Sequence, residues 1–185
     1  MDYRKLLSAT ALVLGAGSMA GWATPAGATS PGGPVTEAVQ VQQVTLRLAS
    51  DPGQVANVSG GSVDNGAAVI QWPLTNAGNE RWEAESTLDG YYRFKAVHSG
   101  KCLNVQGGGT QDGTAVIQYT CGNAANELWK LVPKGIGYQV VGKESGKCLN
   151  VRGGVGRGNP LIQYTCVAAG APNDVWLPVW EDTLK

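Results

Sequence analysis

The feature that most constrains this chain is a unit that occurs three times. Residues 101–129 read KCLNVQGGGTQDGTAVIQYTCGNAANELW, and residues 147–176 read KCLNVRGGVGRGNPLIQYTCVAAGAPNDVW. A more divergent copy, QVANVSGGSVDNGAAVIQWPLTNAGNERW, occupies residues 54–82. The copies end in tryptophans spaced 47 residues apart: Trp82, Trp129 and Trp176. Three copies at a constant spacing predict internal three-fold symmetry.

Each copy, with the segment before it, contains four stretches typical of short β-strands. The first alternates apolar and polar residues, which indicates a half-buried strand, and a polar turn follows it, at residues 50–53 in the first repeat. The second carries Val-Ala-Asn-Val or Cys-Leu-Asn-Val, the third ends in Ile-Gln-Trp or Ile-Gln-Tyr, and the fourth carries the tryptophan. Glycine-rich loops join the second and third strands. The alternating segments lie at residues 44–48, 92–97 and 138–141.

Twelve short strands in three equal units, with no helical periodicity over three turns, predict a closed, pseudo-symmetric barrel. Closure leaves no unpaired edge strand. A β-propeller blade has a similar length, but a ring of blades needs at least about four. The sequence therefore predicts an all-β fold, a β-trefoil over residues 43–182, with repeats at about 43–88, 89–135 and 136–182.

The N-terminus has the pattern of a secretory signal. Arg4 and Lys5 precede an apolar run of small residues, and Ala-Gly-Ala at 26–28 suits signal peptidase. We predict a signal peptide at residues 1–28 and a flexible linker, rich in Pro and Gly, at 29–42. The mature protein is then secreted and extracellular, without membrane insertion. A membrane anchor is the alternative, although the glycine-rich run is weakly hydrophobic for a spanning helix.

The cysteines pair within the repeats in the pattern that symmetry favours. Four cysteines allow three connectivities. The repeat symmetry selects the two pairs Cys102–Cys121 and Cys148–Cys166. In the first repeat, Val55 and Leu74 occupy the equivalent positions, so both members of the pair are replaced together. We expect an apolar contact there in place of a disulfide.

Composition argues against several functional classes. The 14 Lys and Arg residues balance 14 Asp and Glu residues, so no net field favours nucleic acid. The only histidine, His98, lies in a turn, and no CxxC occurs, which disfavours a triad and a zinc site. A glycosidase carboxylate pair stays open, but the acids are scattered, several of them in turns. We predict that the protein is not an enzyme and uses no metal or cofactor.

The pattern C-L-N-V-x-G-G, V-I-Q-Y-x-C and N-E-x-W resembles the ricin-type β-trefoil, also called the ricin B-like lectin or family-13 carbohydrate-binding module. The resemblance covers roughly residues 43–182. The signature of the family ends in Gln-x-Trp. Here the tryptophans match, and we expect them in the core, but the glutamine is replaced by Glu80, Glu127 and Asp174. The replacement is expected to add charge beside the pocket.

The resemblance implies a sugar site in each repeat, built from an aromatic and two amides. The aromatic provides a stacking platform, and the second amide bonds a hydroxyl. At the first amide position the family usually has an Asp that accepts bonds from two hydroxyls, so asparagine implies weaker binding. The candidate residues are Asn57, Trp72 and Asn79; Asn104, Tyr119 and Asn126; and Asn150, Tyr164 and Asn173. Because isoleucines share the face of the aromatics, and asparagines also serve turns, a structural role stays open for each.

The resemblance therefore implies a non-catalytic carbohydrate-binding protein with up to three weak sites. The predicted signal peptide makes it a secreted protein, and we expect a monomer. The third repeat departs most from the pattern, with RGNP at residues 157–160 and two extra residues before its tryptophan. We therefore rank the sites second, first, third. A protein-binding β-trefoil, such as a protease inhibitor or a secreted interaction module, is the alternative.

Overall fold

The computed structural model describes residues 42–181, so the predicted signal peptide and all but the last residue of the predicted linker lie outside the described residues. Within this range the chain forms twelve strands and four 3₁₀ turns, without an α-helix, and no helix could cross a membrane. The strands are β1 Gln42–Leu48, β2 Asp51–Val58, β3 Val69–Pro73, β4 Trp82–Ser86, β5 Tyr92–Ala96, β6 Cys102–Val105, β7 Val116–Tyr119, β8 Leu128–Lys134, β9 Gly137–Gly142, β10 Cys148–Val151, β11 Leu161–Tyr164 and β12 Trp176–Glu181. The 3₁₀ turns are Ser59–Gly61, Gly78–Glu80, Gln106–Gly108 and Ala125–Glu127.

Six strands close a barrel. The first and fourth strands of each repeat pair antiparallel in the ring β1–β4–β5–β8–β9–β12, and β12 returns to β1. Every barrel strand thus has two neighbours, which removes the exposed edges that an open sheet would have. The β-trefoil prediction is confirmed.

The other six strands form three hairpins, β2–β3, β6–β7 and β10–β11, each paired to the barrel through its first strand. Single bridges join the hairpins to one another: Ala68 with Ile117, Ile70 with Pro160, and Ala115 with Ile162. The third strands of the repeats, which carry the candidate aromatics, therefore meet around the pseudo-three-fold axis.

The repeated tryptophans lie in the core, as the sequence predicts. Trp82, Trp129 and Trp176 are fully buried. Each indole N–H donates to a carbonyl of the second strand of its own repeat, at 3.3, 2.9 and 3.0 Å respectively. The rings thus tie each hairpin to the barrel while their polar atom stays satisfied. Replacing one by alanine is expected to cost about 3–5 kcal/mol.

The disulfides join the pairs that symmetry selects. Cys102–Cys121 and Cys148–Cys166 have Cα–Cα distances of 5.1 and 5.0 Å. In the first repeat Val55 is fully buried and Leu74 half-buried.

The first repeat differs from the sequence prediction at its first turn. The prediction of a turn at 50–53 is wrong in its extent, because β2 already begins at Asp51. Leu48 pairs with Asp51 whereas Arg47 pairs with Val55, which is a bulge in the ladder. From Leu48 to Val55 the first repeat has one residue more than the second repeat has over the equivalent stretch from Ala96 to Cys102. A bulge accommodates extra length without losing register.

Candidate functional site

Each repeat has a cavity between its hairpin and the loop before its tryptophan. The cavity of the second repeat is about 460 Å³, that of the third about 490 Å³ and that of the first about 280 Å³. Each is lined by all three candidate residues of its repeat: Asn57, Trp72 and Asn79; Asn104, Tyr119 and Asn126; or Asn150, Tyr164 and Asn173. The structure thus brings the nine candidates together as three equivalent groups.

The aromatics are accessible although they share their strands with buried residues. Tyr119 and Tyr164 are each 47% exposed, whereas Ile117 and Ile162, two residues earlier, are 6% and 4% exposed. The tyrosines are the last residues of β7 and β11, so they extend beyond the packed part of the hairpin. Trp72 is only half-buried. The ambiguity between core and surface is resolved in favour of the surface for both tyrosines.

The two amides of each repeat are hydrogen-bonded to each other. Asn126 Nδ2 donates to Asn104 Oδ1 at 3.0 Å and to the carbonyl of Val105 at 2.8 Å. Because Asn126 must donate to the carbonyl, its amide orientation is fixed, and Asn104 must present its oxygen to it. The same two bonds recur from Asn79 to Asn57 and Val58, and from Asn173 to Asn150 and Val151.

The pairing leaves one donor group and one acceptor for a ligand in the second repeat. Within the described chain, Asn104 Nδ2 donates to no residue and Asn126 Oδ1 accepts from none, and both residues line the cavity. The pair is therefore both structural and chemically available. In the first repeat Asn57 Nδ2 is already directed to Glu80 Oε2, at 3.4 Å.

The acids at the signature position are buried, and of the three only Glu127 also lines its cavity, so the expected charge lies beside the second pocket. Glu80, Glu127 and Asp174 are almost completely buried. Both carboxylate oxygens of Glu127 accept from the backbone N–H of Gly122 at 3.0 Å. Equivalent bonds run to Glu80 from Thr75 and Ala77, and to Asp174 from Val167 and Ala171. Each acid thus fixes the loop that forms one wall of the cavity.

Two equivalent barrel residues, neither of them predicted from the sequence, each support one of these acids. Arg93 of β5 forms an ion pair with Glu127, Nε to Oε1 3.0 Å, and donates to the carbonyl of Gly122 at 2.7 Å. At the equivalent position of β9, Gln139 donates to Asp174 at 3.0 Å and to the carbonyl of Val167 at 2.8 Å. Arg93 and Gln139 could have been found from the sequence by their shared position, since each is the second residue of the alternating segment of its repeat.

The loop of one repeat completes the cavity of the next. Gly66 of the first repeat lines the second cavity, and Asn65 Oδ1 accepts from Thr120, from N at 2.9 Å and from Oγ1 at 3.1 Å. Asp112 of the second repeat accepts from Thr165 N in the same way, at 2.8 Å. These partners lie 55 and 53 residues apart, so the pattern within one repeat does not predict them.

Buried glutamines hold these loops in place. Gln118 Nε2 donates to the carbonyls of Ser62 and Asp64 at 2.7 and 2.9 Å. Gln163 makes the corresponding bonds to the carbonyls of Gly109 and Gln111. Between the third and first repeats the glutamine is the acceptor instead of the donor. There Gln71 Oε1 accepts from Gly156 N at 2.8 Å. The glutamine of the Ile-Gln-aromatic motif thus links neighbouring repeats by hydrogen bonds.

The first cavity is completed differently. Arg157 occupies the position that Asn65 and Asp112 hold in the other repeats, and its Cζ lies 4.3 Å from the centre of the Trp72 ring. Pro73, which stands where the other repeats have threonine, has no N–H to bond. The guanidinium instead lies over the indole ring, a cation–π contact, where the other repeats have a hydrogen bond.

An ion pair lies at the junction of the second and third repeats, next to Gly113 of the third cavity. Lys147 Nζ lies 2.7 Å from Asp112 Oδ1. The hydrogen bond from Lys147, and then those from Thr165, hold the pKa of the Asp112 carboxyl below its ordinary value, against the opposing effect of desolvation. Among residues 42–181, no group of three or more His, Cys, Asp or Glu side chains is placed to hold a metal ion.

The sequence matches a family model described as ricin-type beta-trefoil lectin domain-like, in two overlapping segments at residues 35–119 and 79–164. Together the segments cover more than half of the chain. The chain belongs to the ricin-type β-trefoil lectin-like family. No curated protein sequence matches the chain.

Solved structures agree with this family. The designed three-fold symmetric protein ThreeFoil is 35% identical with a TM-score of 0.69, covering 74% of this chain and 97% of its own. An exo-beta-1,3-galactanase from Clostridium thermocellum is 30% identical with a TM-score of 0.67, covering 79% of this chain, which spans only 31% of that protein. The Rhizoctonia solani agglutinin shares the fold, at 19% identity and a TM-score of 0.68 over 77% of this chain and 97% of its own.

Asn57 and Glu80 are in contact at the positions where the ricin-type pattern has its Asp and its Gln. The resemblance places an Asp at the first of these positions and a Gln at the second. This chain has the amide first and the carboxylate second, and Asn57 Nδ2 donates to Glu80 Oε2 at 3.4 Å. The two groups have exchanged places, so the first repeat keeps one acid and one amide in contact. Two carboxylates at this distance would repel each other.

Proposed function

We propose that this member of the ricin-type family is a non-catalytic carbohydrate-binding protein with up to three sites. The observation that carries the proposal is an accessible aromatic ring beside a hydrogen-bonded pair of amides, repeated in three cavities. We further propose that residues 43–182 form the binding domain, that residues 1–28 are a signal peptide and 29–42 a linker, and that the mature protein is a secreted monomer. Two disulfides are consistent with an oxidising, extracellular location.

Sugar binding at the second cavity uses each of the three side chains. The apolar face of a pyranose packs on the exposed ring of Tyr119. Asn126 Oδ1 accepts a hydrogen bond from one hydroxyl, and Asn104 Nδ2 donates to the oxygen of another. Since all these bonds are between neutral groups, each site is weak on its own.

Binding to a polymer compensates for weak single sites. Once one cavity holds a polysaccharide, a second cavity engages it at high effective concentration, which raises the avidity without new contacts. On cavity volume and accessibility we now place the second and third sites ahead of the first, because the first cavity is the smallest and its platform is partly covered by Arg157.

Hydrolysis is a weaker proposal than binding. A glycosidase needs two carboxyl groups on either side of the scissile bond, roughly 5–9.5 Å apart. The acids beside these cavities are buried and accept bonds from loop N–H groups. The sequence similarity to the galactanase covers only 31% of that protein and so does not carry its activity.

A protein-binding role is the second candidate, and one observation favours it. Leu88 and Ile136, in the turns β4–β5 and β8–β9, are 108% and 80% exposed. Exposed apolar side chains on turns suit a protein contact more than a sugar contact. In this role the three cavities would be irrelevant to binding.

A glycan array with a polysaccharide pull-down distinguishes these roles. The wild type is compared with Trp72→Ala, Tyr119→Ala and Tyr164→Ala, and with Tyr119→Phe, which keeps the ring. We expect the wild type to bind, the tyrosine-to-alanine variants to weaken binding roughly tenfold or more, and Tyr119→Phe to retain it. The absence of glycan binding by the wild type at high ligand concentration would refute the function, and unchanged alanine variants would refute the sites.

A further inference from the structure

We propose that the first cavity prefers an acidic sugar, one that carries a carboxylate, and that Arg157 sets this preference. The inference rests on the proposed function and adds a substrate class to one of its sites. It concerns a residue of the third repeat that acts on the cavity of the first.

Arg157 is fixed beside the first cavity by the backbone on both sides of it. Gly158 N donates to the carbonyl of Gln71 at 2.8 Å, and Gln71 N donates to the carbonyl of Asn159 at 2.8 Å. The loop is further held by Gly156 N, which donates to Gln71 Oε1. These bonds place the guanidinium of Arg157 over the ring of Trp72, the residue that follows Gln71.

The guanidinium is available to a ligand. Arg157 is exposed, and it forms no ion pair with a carboxylate of the described residues. Arg152, which lines the third cavity, is instead engaged with the carbonyl of Gly113 at 2.8 Å. A guanidinium that stacks on an aromatic face keeps its N–H donors in its own plane, where a carboxylate can bind two of them.

The stacked arginine discriminates against neutral sugars. A neutral sugar that takes the covered face of Trp72 must displace the guanidinium, which then loses its cation–π contact and gains no partner. An acidic sugar supplies that partner, whether the guanidinium stays on the ring or moves aside. Both arrangements favour the acid.

No acidic side chain is among the residues that line the first cavity. Asn57 is neutral at the position where the ricin-type pattern has an aspartate. Glu80 is fully buried, and its oxygens accept from Thr75 N at 2.8 Å and Ala77 N at 3.0 Å. The equivalents of Arg157 in the other two cavities carry no positive charge. Asn65 is neutral, and Asp112 is an acid paired with Lys147.

The test isolates the first site in a Tyr119→Ala/Tyr164→Ala background. Calorimetric titration compares uronic acid oligosaccharides with their methyl esters, which have the same shape without the charge. We expect the acid to bind about tenfold more tightly than the ester at low salt, the contribution of one charge-assisted hydrogen bond. Arg157→Gln should abolish the preference, Arg157→Lys should retain part of it, and Lys130→Ala, which removes an exposed charge of the barrel, should leave it unchanged.

The outcomes separate this inference from the proposed function. Equal affinity for acid and ester in the double-alanine background, or no binding there, overturns the acid preference. The proposed function still stands in that case if the wild type binds sugar at its second and third sites. If Arg157→Gln tightens ester binding and the Tyr119→Ala/Tyr164→Ala background shows no acid preference, Arg157 only blocks the cavity and the inference is wrong. If the wild type binds no sugar at all, the proposed function itself fails.

Discussion

Asn126 Nδ2 donates to Asn104 Oδ1 at 3.0 Å, and this bond decides which atoms of the second cavity remain for a ligand. The second N–H of Asn126 is taken by the carbonyl of Val105 at 2.8 Å. Neither residue can rotate its amide without bringing two donors or two acceptors together. The fold therefore presents a nearly rigid donor and acceptor beside Tyr119, and little ordering is needed on binding.

Asn126→Asp tests that geometry by replacing only the side-chain NH₂ group with an oxygen. Aspartate has no N–H, so it would face Asn104 Oδ1 and the carbonyl of Val105 with acceptors only. We expect a loss of about 1–3 kcal/mol in the free energy of unfolding and loss of binding at the second site. Urea unfolding and titration of a second-site-only variant measure the two effects. Asn123→Asp, on the exposed neighbouring turn, is the matched control, and an equal response from both variants contradicts the account.

The exchange of amide and acid in the first repeat predicts coupling between Asn57 and Glu80. Asn57→Asp alone would put a second carboxylate about where Nδ2 now contacts Glu80 Oε2, and should destabilise by about 1–3 kcal/mol. Adding Glu80→Gln restores one acid and one amide, so the double variant should be more stable than Asn57→Asp. A double-mutant cycle by urea unfolding measures the coupling. Additive effects would mean that the two side chains do not interact.

The first repeat suggests how to remove a disulfide from the second. Replacing Cys102 by Val and Cys121 by Leu copies Val55 and Leu74, and we expect a cost of about 3 kcal/mol from the freer unfolded chain. Replacement of both by Ser should cost about 1–3 kcal/mol more, because position 102 is fully buried and the serine hydroxyl there would be unpaired. Thermal and urea unfolding rank the variants. Equal stability of the two replacements would show that apolar packing at this position contributes nothing.

Asp112 predicts an acid-dependent part of the stability. The hydrogen bond from Lys147, followed by those from Thr165, lowers the pKa of Asp112 from its ordinary 3.8. Because the folded pKa lies below the unfolded one, this contribution is fully present above pH 3.8 and is lost as the pH falls through the lowered folded pKa. The difference in unfolding free energy between wild type and Asp112→Asn should therefore shrink in strong acid.

Unfolding of both proteins from pH 7 to pH 2 follows that difference. Lys147→Met removes the main cause of the lowered pKa, so in this background the Asp112→Asn difference should depend much less on pH. A wild-type difference that stays constant down to pH 2 would show that the carboxylate charge does not matter at this position.

The parts of the structure that follow from the sequence are local and occur three times. The strands, the buried tryptophans and the cysteine pairs depend on spacing within one repeat, and each copy checks the others. Trp129 illustrates this, because its burial and its bond to Leu103 lie within one repeat. The tyrosine platforms were predicted through the resemblance, since the pattern of β7 alone allowed either face.

The parts that did not follow are contacts between repeats or deviations from symmetry. Asn65 with Thr120 and Arg157 with Trp72 join residues of different repeats, and only the closed fold brings them together. The bulge near Asp51 depends on a single extra residue. The buried position of Glu127 could not be predicted, because it depends on a loop that turns back to place the N–H of Gly122 on the carboxylate and on Arg93 of a neighbouring strand.

The central claim, that the three cavities hold the sugar, is tested most directly by NMR titration of the side-chain amides. A ligand from the glycan array is added to ¹⁵N-labelled protein, and the Asn104 and Asn126 side-chain resonances are followed with Asn123 as an exposed reference. The account predicts saturable shifts of the cavity amides that disappear at the second site in Tyr119→Ala, while Asn123 does not respond. Shifts confined to the turns of Leu88 and Ile136, or no cavity shifts at saturation, would contradict it.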